Sequence, residues 1–184
     1  RYTATTVEAL LGPACSPTVV HNSIDTEYFV PAAHPDMLER LSVLTVGRHD
    51  ADSVNKGYDK LIEAVSLIRA RSPDLPVRLR IAGAGPLVER WRRRAAELGV
   101  GDRVELCGAV SRERLRELYE SCDLFAFPSR LAEDDGEFVG EGFGVVNIEA
   151  AACGRPVLTS THGGCPETIV DGETGVLVDP SDGG

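Results

Sequence analysis

Residues 124–160, LFAFPSRLAEDDGEFVGEGFGVVNIEAAACGRPVLTS, are the stretch that decides the fold. The stretch opens with the apolar run LFAFPS, passes through a glycine-rich loop into the helical segment VVNIEAAACG, and closes with the apolar run PVLTS. Short continuous apolar runs are typical of strands buried on both faces, and a helix between two of them joins parallel strands. The stretch therefore predicts a strand–helix–strand unit of a parallel sheet.

The same alternation continues outward in both directions. The further strand candidates are SVLTVG at 42–47, VRLRIAG at 77–83, RVELCG at 103–108 and GVLVD at 175–179. The helix candidates between them are GYDKLIEAVSLIRARS, PLVERWRRRAAELG and SRERLRELYESC, with Ser111 as an N-cap and Gly99 as a helix end. This order, with helices on both faces, predicts an α/β domain with a doubly wound, mostly parallel, Rossmann-like sheet.

Three segments divide the chain. Residues 1–21 fall outside the rhythm, because they read as a helix, YTATTVEALLG, and a short strand, PTVVHN. We interpret them as the end of a missing N-terminal Rossmann-like domain. Residues 22–40 contain two prolines and little periodicity, which predicts an interdomain linker. Residues 41–184 form the main domain, which we expect to be truncated at its C-terminus.

Composition places the chain among globular proteins. Of its 184 residues, 42% are hydrophobic and 26% are charged, which suffices for one good core. No apolar run approaches the roughly 18 residues of a membrane span, and no basic-then-apolar leader opens the chain. The five cysteines form no CxxC pair, which favours reduced thiols in a cytoplasmic protein. Peripheral contact with the inner face of a membrane stays open.

Charge is distributed unevenly. Residues 120–184 carry 13 acidic and 2 basic residues, whereas residues 1–119 carry 16 acidic and 17 basic ones. The acidic part argues against nucleic acid as a partner. It would also repel an anionic small ligand unless local cations or helix N-termini compensate.

The loops that follow the strands are where a ligand of an open α/β sheet binds. Arg48 and Lys56 flank the loop after the first strand and could hold a diphosphate, although two ordinary surface cations fit equally well. The GAGP turn after the second strand lacks the third glycine of a dinucleotide fingerprint, which is Val88 here, so a nicotinamide cofactor is disfavoured. After the third strand, Gly108 permits close approach and Val110 offers its main chain to a planar group.

The glycine-rich loop after the fourth strand runs into a helix that starts near Val145. The first N–H groups of a helix are unpaired and lie at the positive end of its dipole, so they can bind a phosphate. Glu141 precedes the glycines and could accept hydrogen bonds from sugar hydroxyls. Glu149 lies about one turn inside the helix and suits a ribose diol. Acidic residues and capping glycines at an ordinary helix start remain the alternative.

Six motifs in order carry a resemblance to a known family. They are VGR…KGYDKLIEA, IAGAGP, VELCGAV, LYESCDLFAFPS, EGFGVVNIEAAACGRPVLTSTHGGCPE and DGETGVLVDP. Together they resemble the nucleotide-binding C-terminal domain of GT4-type retaining glycosyltransferases, which is half of a GT-B fold, over residues 20–180. Glu141 and Glu149 match the two-glutamate signature of that family, with seven residues between them.

The resemblance implies a role for each candidate residue. Arg48, Lys56 and Glu141 would be the catalytic set, with the two cations on the donor diphosphate and the glutamate on the transferred sugar. Val110 would contact the base through its backbone, and Glu149 would hold the ribose hydroxyls. The backbone that holds the donor sugar and phosphate would come from Gly142, Phe143, Gly144 and Val145.

The resemblance also implies a UDP-, GDP- or ADP-linked sugar as donor, no other cofactor, no metal, and an unidentified sugar or lipid acceptor. The acceptor site and a catalytic histidine would lie in the missing N-terminal domain of the same protein, so we expect this fragment alone to bind nucleotide with little hexosyl transfer. The loop from Arg48 to Lys56 is longer than the family pattern, which leaves the position of Lys56 open. A non-catalytic nucleotide-sugar-binding module and a GT-B-fold epimerase are the alternatives.

Overall fold

The structure, a computed structural model, describes residues 1–12, 14–33, 40–134 and 137–181, and leaves out the side chains of Asp52 and residues 132–139. Part of the predicted linker, residues 34–39, therefore lies outside the described residues, as do residues 182–184 at the end of the predicted main domain.

Eight strands and five α-helices make up the described chain. The strands are β1 (Leu41–Val46), β2 (Val77–Ala82), β3 (Val104–Gly108), β4 (Leu124–Phe127), β5 (Ala132–Asp134), β6 (Glu137–Val139), β7 (Val157–Ser160) and β8 (Gly175–Val178). The helices are α1 (Tyr2–Leu11), α2 (Tyr58–Arg71), α3 (Val88–Glu97), α4 (Arg112–Glu120) and α5 (Val145–Ala152). Two short 3-10 helices span Ala51–Lys56 and Cys165–Glu167.

Six of the strands form one sheet in the order β3-β2-β1-β4-β7-β8, and every neighbouring pair is parallel. The order reverses between β1 and β4, which makes the carboxyl ends of these two strands the switch point of a Rossmann-like sheet. The six strands predicted within residues 41–184 and the doubly wound fold are thus confirmed.

Helices cover both faces of this sheet. Tyr58 of α2 and Trp91 of α3 are buried in one core cluster, and Tyr119 of α4 is buried in the other together with residues of α5. Within β1, Val43 belongs to the first cluster and Leu44 to the second, because successive side chains of a strand point to opposite faces. Both faces are therefore apolar, which explains why the strands read as continuous apolar runs.

The predicted helix ends have the local geometry that the sequence suggested. The hydroxyl of Ser111 caps α4 by accepting a hydrogen bond from the Arg114 N–H at 3.2 Å. Gly99 ends α3 with a φ of 69°, and the next N–H, from Val100, donates to the Ala95 carbonyl at 2.8 Å. This is the Schellman pattern, in which a glycine takes the left-handed position.

Two segments differ from the prediction. The predicted helix at the start of the chain is present as α1, but the predicted strand PTVVHN is wrong, since residues 17–22 run as irregular chain. The chain after β4, which carried no secondary-structure prediction, contains the antiparallel pair β5–β6. This second, two-stranded sheet lies between β4 and the glycine-rich loop in the chain.

The described part of the predicted linker packs against the main domain. Phe29 is buried in the core cluster beneath α4 and α5. Arg155, only 2% exposed, donates hydrogen bonds from its guanidinium to the carbonyls of Ala32 at 2.9 Å, Ala33 at 3.0 Å and Cys122 at 3.4 Å. The same guanidinium donates to the Cys153 carbonyl at 3.2 Å. Arg155 therefore fastens residues 32–33 to the sheet and to the end of α5.

Three further findings bear on the predictions from composition. All five cysteines are free thiols, and three of them are buried. Within the described ranges, no helix is both long and apolar enough to cross a bilayer. In that same part of the chain, no group of three or more His, Cys, Asp or Glu side chains is arranged to hold a metal ion.

Candidate active site

An ion pair stands at the switch point of the sheet. Lys56 comes from the loop after β1 and Glu141 from the loop after β4, and the Lys56 Nζ lies 2.9 Å from the Glu141 Oε2. The side chains are 17% and 21% exposed, so the pair is open to solvent at one side only. The ammonium also lies 5.3 Å from the centre of the Phe127 ring, at the end of β4. The structure thus brings two of the predicted catalytic residues together.

The 3-10 helix Ala51–Lys56 carries Lys56 to this position. The Asp50 carboxylate starts it by accepting a hydrogen bond from the Ser53 hydroxyl. Gly57 follows with a φ of 77°, and a Cβ there would lie 2.3 Å from the Pro128 carbonyl, so only glycine lets the loop press this closely against the end of β4. This 3-10 helix forms the second half of the loop from Arg48 to Lys56, and Lys56 at its end reaches Glu141.

A second ion pair joins the chain directly after β4 to the start of α2, and we call it the Arg130 clamp. The Arg130 guanidinium, from the loop after β4, binds both carboxylate oxygens of Asp59 at 3.1 and 3.0 Å. It also donates to the Val54 carbonyl at 2.9 Å, while the Arg130 N–H donates to the Asn55 carbonyl at 2.7 Å. A bidentate arginine–carboxylate pair fixes geometry as well as charge. The sequence analysis did not include Arg130 or Asp59.

Backbone contacts hold the glycine-rich loop. The Gly164 N–H donates to the Glu141 carbonyl at 2.8 Å, and a Cβ on Gly164 would lie 2.1 Å from the Gly142 carbonyl. Gly144 is the N-cap of α5 with a φ of 86°, and Val145 begins the helix half-exposed. The loop thus lies directly against the chain after β7, and it leads into a helix N-terminus at the same edge as the Lys56–Glu141 pair.

The loop also faces a cleft. A space of about 210 Å³ lies between α1, residues 17–22 and the pair Gly142 and Phe143. The Thr3 hydroxyl of α1 donates to the Gly142 carbonyl at 3.2 Å, which closes one side of the cleft. The two loop residues that the sequence assigned to sugar binding are therefore accessible from this side.

Glu149 has its own partner, on a different helix. The Tyr119 hydroxyl of α4 donates to the Glu149 Oε2 at 2.9 Å. Burial raises the pKa of the Glu149 carboxyl, and this effect outweighs the Tyr119 hydrogen bond and the nearby Arg112, which both lower it. Glu141 pairs with lysine and Glu149 with tyrosine, so the two signature glutamates have separate environments.

The two other predicted site residues lie less close to the pair. The Arg48 guanidinium binds Asp50 at 2.9 Å, and its side chain is 77% exposed. Val110 follows β3 directly before the Ser111 cap, and its side chain packs against the core cluster under α4 and α5. The structure therefore joins Lys56 to Glu141 but not Arg48 to either of them.

His49, which directly follows Arg48 in the chain, is buried. Its ring contacts that of Tyr58, with 4.5 Å between the centres, and burial lowers its pKa, which favours the neutral form. A Cβ on Gly85 would lie 2.4 Å from the His49 carbonyl, and one on Gly83 would lie 3.1 Å from its Nε2. The glycines of the GAGP turn thus make room for His49.

The fold and its switch-point site define the class: this is the Rossmann-like domain of a GT-B glycosyltransferase. The chain belongs to the family described as glycosyl transferases group 1, whose model matches residues 33–183. It is 36% identical, over 99% of its length, to the GDP-mannose-dependent alpha-(1-6)-phosphatidylinositol monomannoside mannosyltransferase of Mycolicibacterium smegmatis, and it covers 48% of that protein. It is 33% identical, over 88% of its length, to the D-inositol 3-phosphate glycosyltransferase of Stackebrandtia nassauensis, and it covers 37% of that protein. The chain therefore spans about half, or less, of these curated relatives.

Solved structures agree with this class. Anabaena HepE in complex with UDP and glucose superposes with a TM-score of 0.69 at 25% identity, over 89% of this chain and 43% of that one. The C-terminal domain of the group 1 glycosyl transferase LpcC from Francisella tularensis superposes with a TM-score of 0.63 at 22% identity, over 86% of this chain and 81% of that one. The second likeness concerns the fold alone.

Proposed function

We propose that this chain is the donor-binding half of a retaining hexosyltransferase, and the Lys56–Glu141 pair at the switch point is the observation that carries the proposal. A lysine ammonium has three donors, and the pair uses one, which leaves two for phosphate oxygens. The Glu141 carboxylate has further acceptor positions for hydroxyls of the transferred sugar. One ion pair can therefore hold the diphosphate and the sugar of the same donor.

The proposed reaction requires positive charge next to the diphosphate as its bond to the sugar breaks. Glycosyl transfer passes through an oxocarbenium-like centre, and negative charge builds on the leaving phosphate. Lys56 and the N-terminus of α5, reached through the backbone of Gly142 to Val145, would stabilise that charge. Arg48 would supply a second cation by exchanging Asp50 for the phosphate. Retention of configuration follows from the family resemblance.

We further propose GDP-mannose as the donor and an inositol-containing acceptor. The names of the relatives support both, since one is a GDP-mannose-dependent phosphatidylinositol monomannoside mannosyltransferase and another a D-inositol 3-phosphate glycosyltransferase. Glu149 would hold the ribose of the nucleotide, and the backbone at Val110 would contact the base. The acceptor and the remaining catalytic groups would come from the other half of the whole protein.

Calorimetric titration of the chain with GDP, UDP and ADP tests the proposal. We expect GDP to bind most tightly, and we expect Glu149→Gln to weaken all three nucleotides because the ribose is common to them. Folded protein that binds none of the three would overturn the donor-binding role. Tightest binding of UDP or ADP would keep the role but overturn GDP-mannose as the donor.

Binding should also depend on pH through Glu149. Burial raises the pKa of this carboxyl above its ordinary value of 4.5, and only the charged form accepts from both ribose hydroxyls. Affinity is therefore full above the raised pKa and is lost as pH falls through it, in a range that lies above the ordinary value of 4.5. The GDP phosphate itself titrates near pH ~6, so the same series with Glu149→Gln serves as the reference. A wild-type profile parallel to that of the variant would contradict the assignment.

The raised pKa of Glu149 also affects the free energy of unfolding, and lower pH acts on it in the opposite direction to its effect on nucleotide binding. A carboxyl whose pKa is raised in the folded state binds a proton more readily there than in the unfolded chain. Ionised Glu149 therefore costs stability above its raised pKa, and this cost disappears as pH falls through it. Protonation of Glu149 at low pH would thus weaken nucleotide binding without promoting acid unfolding of the chain.

A further inference from the structure

We propose that Tyr119 is a positioning residue for the nucleoside part of the site, where its hydroxyl orients the Glu149 carboxylate toward the two ribose hydroxyls. The inference rests on the proposed function. It adds Tyr119, which would orient the side chain, to Glu149, which would contact the nucleotide. The contacts of Tyr119, the acceptor capacity of Glu149 and the packing of the tyrosine ring carry the argument.

The hydroxyl of Tyr119 is the fixed partner of this carboxylate. Tyr119 lies on α4 and Glu149 on α5, and the hydrogen bond of 2.9 Å joins the two helices where both cover the same face of the sheet. Tyr119 is completely buried, whereas Glu149 is only half-buried. The flexible side chain of Glu149 is thus held by the Tyr119 hydroxyl, which is itself shielded from solvent.

The direction of this hydrogen bond is fixed. Burial and the neighbouring Glu149 carboxylate raise the pKa of Tyr119 well above its ordinary value, so the hydroxyl keeps its proton and donates it. An ionised carboxylate offers about four acceptor positions on two oxygens. Tyr119 takes one of them on Oε2, and the others remain for a vicinal diol. The bond therefore orients Glu149 without using up its capacity for ribose.

The tyrosine ring is itself held from two sides. Its centre lies 5.9 Å from the Phe29 ring and 5.6 Å from the Phe125 ring, and both contacts are edge-on. Edge-on aromatic pairs at such distances are favourable and directional. Phe125 belongs to β4, and Phe29 belongs to the described part of the predicted linker. The orientation of Glu149 therefore depends, through Tyr119, on this strand and on the segment that leads into the domain.

The chemistry of the partner distinguishes positioning from simple burial of a tyrosine. A backbone carbonyl would satisfy a buried hydroxyl equally well. Here the acceptor is a carboxylate whose charge is disfavoured by burial, and the Tyr119 hydrogen bond and the charge of Arg112 both favour the ionised form. Tyr119 therefore affects both the orientation and the ionisation of Glu149, and both are needed to accept hydrogen bonds from a ribose.

The test compares GDP with 2′,3′-dideoxy-GDP on wild type and on Tyr119→Phe. We expect the variant to lose affinity for GDP by about tenfold, roughly what one hydrogen bond to a charged group contributes, and to bind the dideoxy compound as the wild type does. The loss of GDP affinity should also grow at lower pH. Tyr58→Phe is the matched control, since Tyr58 is equally buried and its hydroxyl donates to the Arg48 carbonyl at 3.2 Å. It should leave the ratio of the two affinities unchanged.

The possible outcomes separate this inference from the proposed function. Wild-type protein that prefers GDP over the dideoxy compound, together with a Tyr119→Phe variant of undiminished preference, would overturn the inference alone. An equal loss of both ligands in Tyr119→Phe would assign the tyrosine a structural role and overturn it as well. Wild-type protein that binds neither compound would overturn the donor-binding role, and this inference with it.

Discussion

Lys56→Met should lower the affinity of the chain for GDP by about 10- to 100-fold. The expected size follows from the loss of a charge-assisted hydrogen bond, about 1.5–3 kcal/mol. The substitution also leaves the Glu141 carboxylate, which is 21% exposed, without the ammonium that now lies 2.9 Å away. The donor diphosphate would then meet a bare negative charge, so we expect Lys56→Met to be the most damaging single change in the site.

Two further variants sharpen this measurement by calorimetry. Lys60→Met is the matched control, because Lys60 lies four residues further on, in the first turn of α2, where it is half-exposed and pairs with Glu63 at 3.3 Å. We expect it to leave GDP binding unchanged. Adding Glu141→Gln to Lys56→Met should recover part of the affinity, since it removes the repulsion. GDP binding by Lys56→Met at wild-type strength would place the diphosphate elsewhere.

Loss of the Arg155 guanidinium should have the largest effect on stability. Arg155→Met fills a similar volume but leaves the carbonyls of Ala32, Ala33, Cys122 and Cys153 without the donor that they share. Unsatisfied buried polar groups cost about 1–3 kcal/mol each, and part of this is recovered because the buried charge is also gone. We expect a loss of about 3 kcal/mol, which lowers Tm by roughly 6–12 °C for a chain of this length.

Denaturant and thermal unfolding measure this effect directly. Arg155→Lys should rescue little, because a single ammonium cannot reach carbonyls that the planar, forked guanidinium binds in several directions. Arg93→Met on the exposed side of α3 is the control, and we expect it to change the free energy of unfolding by less than about 0.5 kcal/mol. An Arg155→Met protein as stable as the wild type would contradict this prediction.

The predictable parts of the structure are those that depend on residues close together in the sequence. The unit from β4 through α5 to β7 follows from apolar runs, a glycine-rich loop and a helical pattern that lie within one stretch of chain. Ser111 and Gly99 marked helix ends because caps act over a single turn. The order of these units then restricts the sheet topology, since parallel strands joined by helices follow few arrangements.

The contacts between distant residues were not predictable in the same way. Lys56 and Glu141 are 85 positions apart, and Arg130 and Asp59 are 71 apart, so no local pattern pairs them. Tyr119 carried no prediction of a site role, since the partner of its hydroxyl lies on another helix. In each case the sequence shows the residue type, and the fold decides the partner.

Two errors of local structure have local reasons. Residues 17–22 were predicted as a strand because they contain an apolar pair, but Val20 is 86% exposed and no strand of the described chain lies beside it. The pair β5–β6 was missed although Asp135 and Gly136, which lie outside the described residues, form a dipeptide typical of tight hairpins.

The Arg130 clamp has a consequence for how the site tolerates change in the chain. Lys56 is fixed on both sides, by Gly57 against Pro128 on its C-terminal side and by Arg130 on the two carbonyls that precede it. The number of residues between Arg48 and Lys56 can therefore vary. An insertion or deletion before Val54 would change the loop there, while the Lys56 ammonium keeps its position. The spacing of the two cations along the chain is a poor guide to their spacing in space, and a search for this site that demands a fixed interval would overlook it.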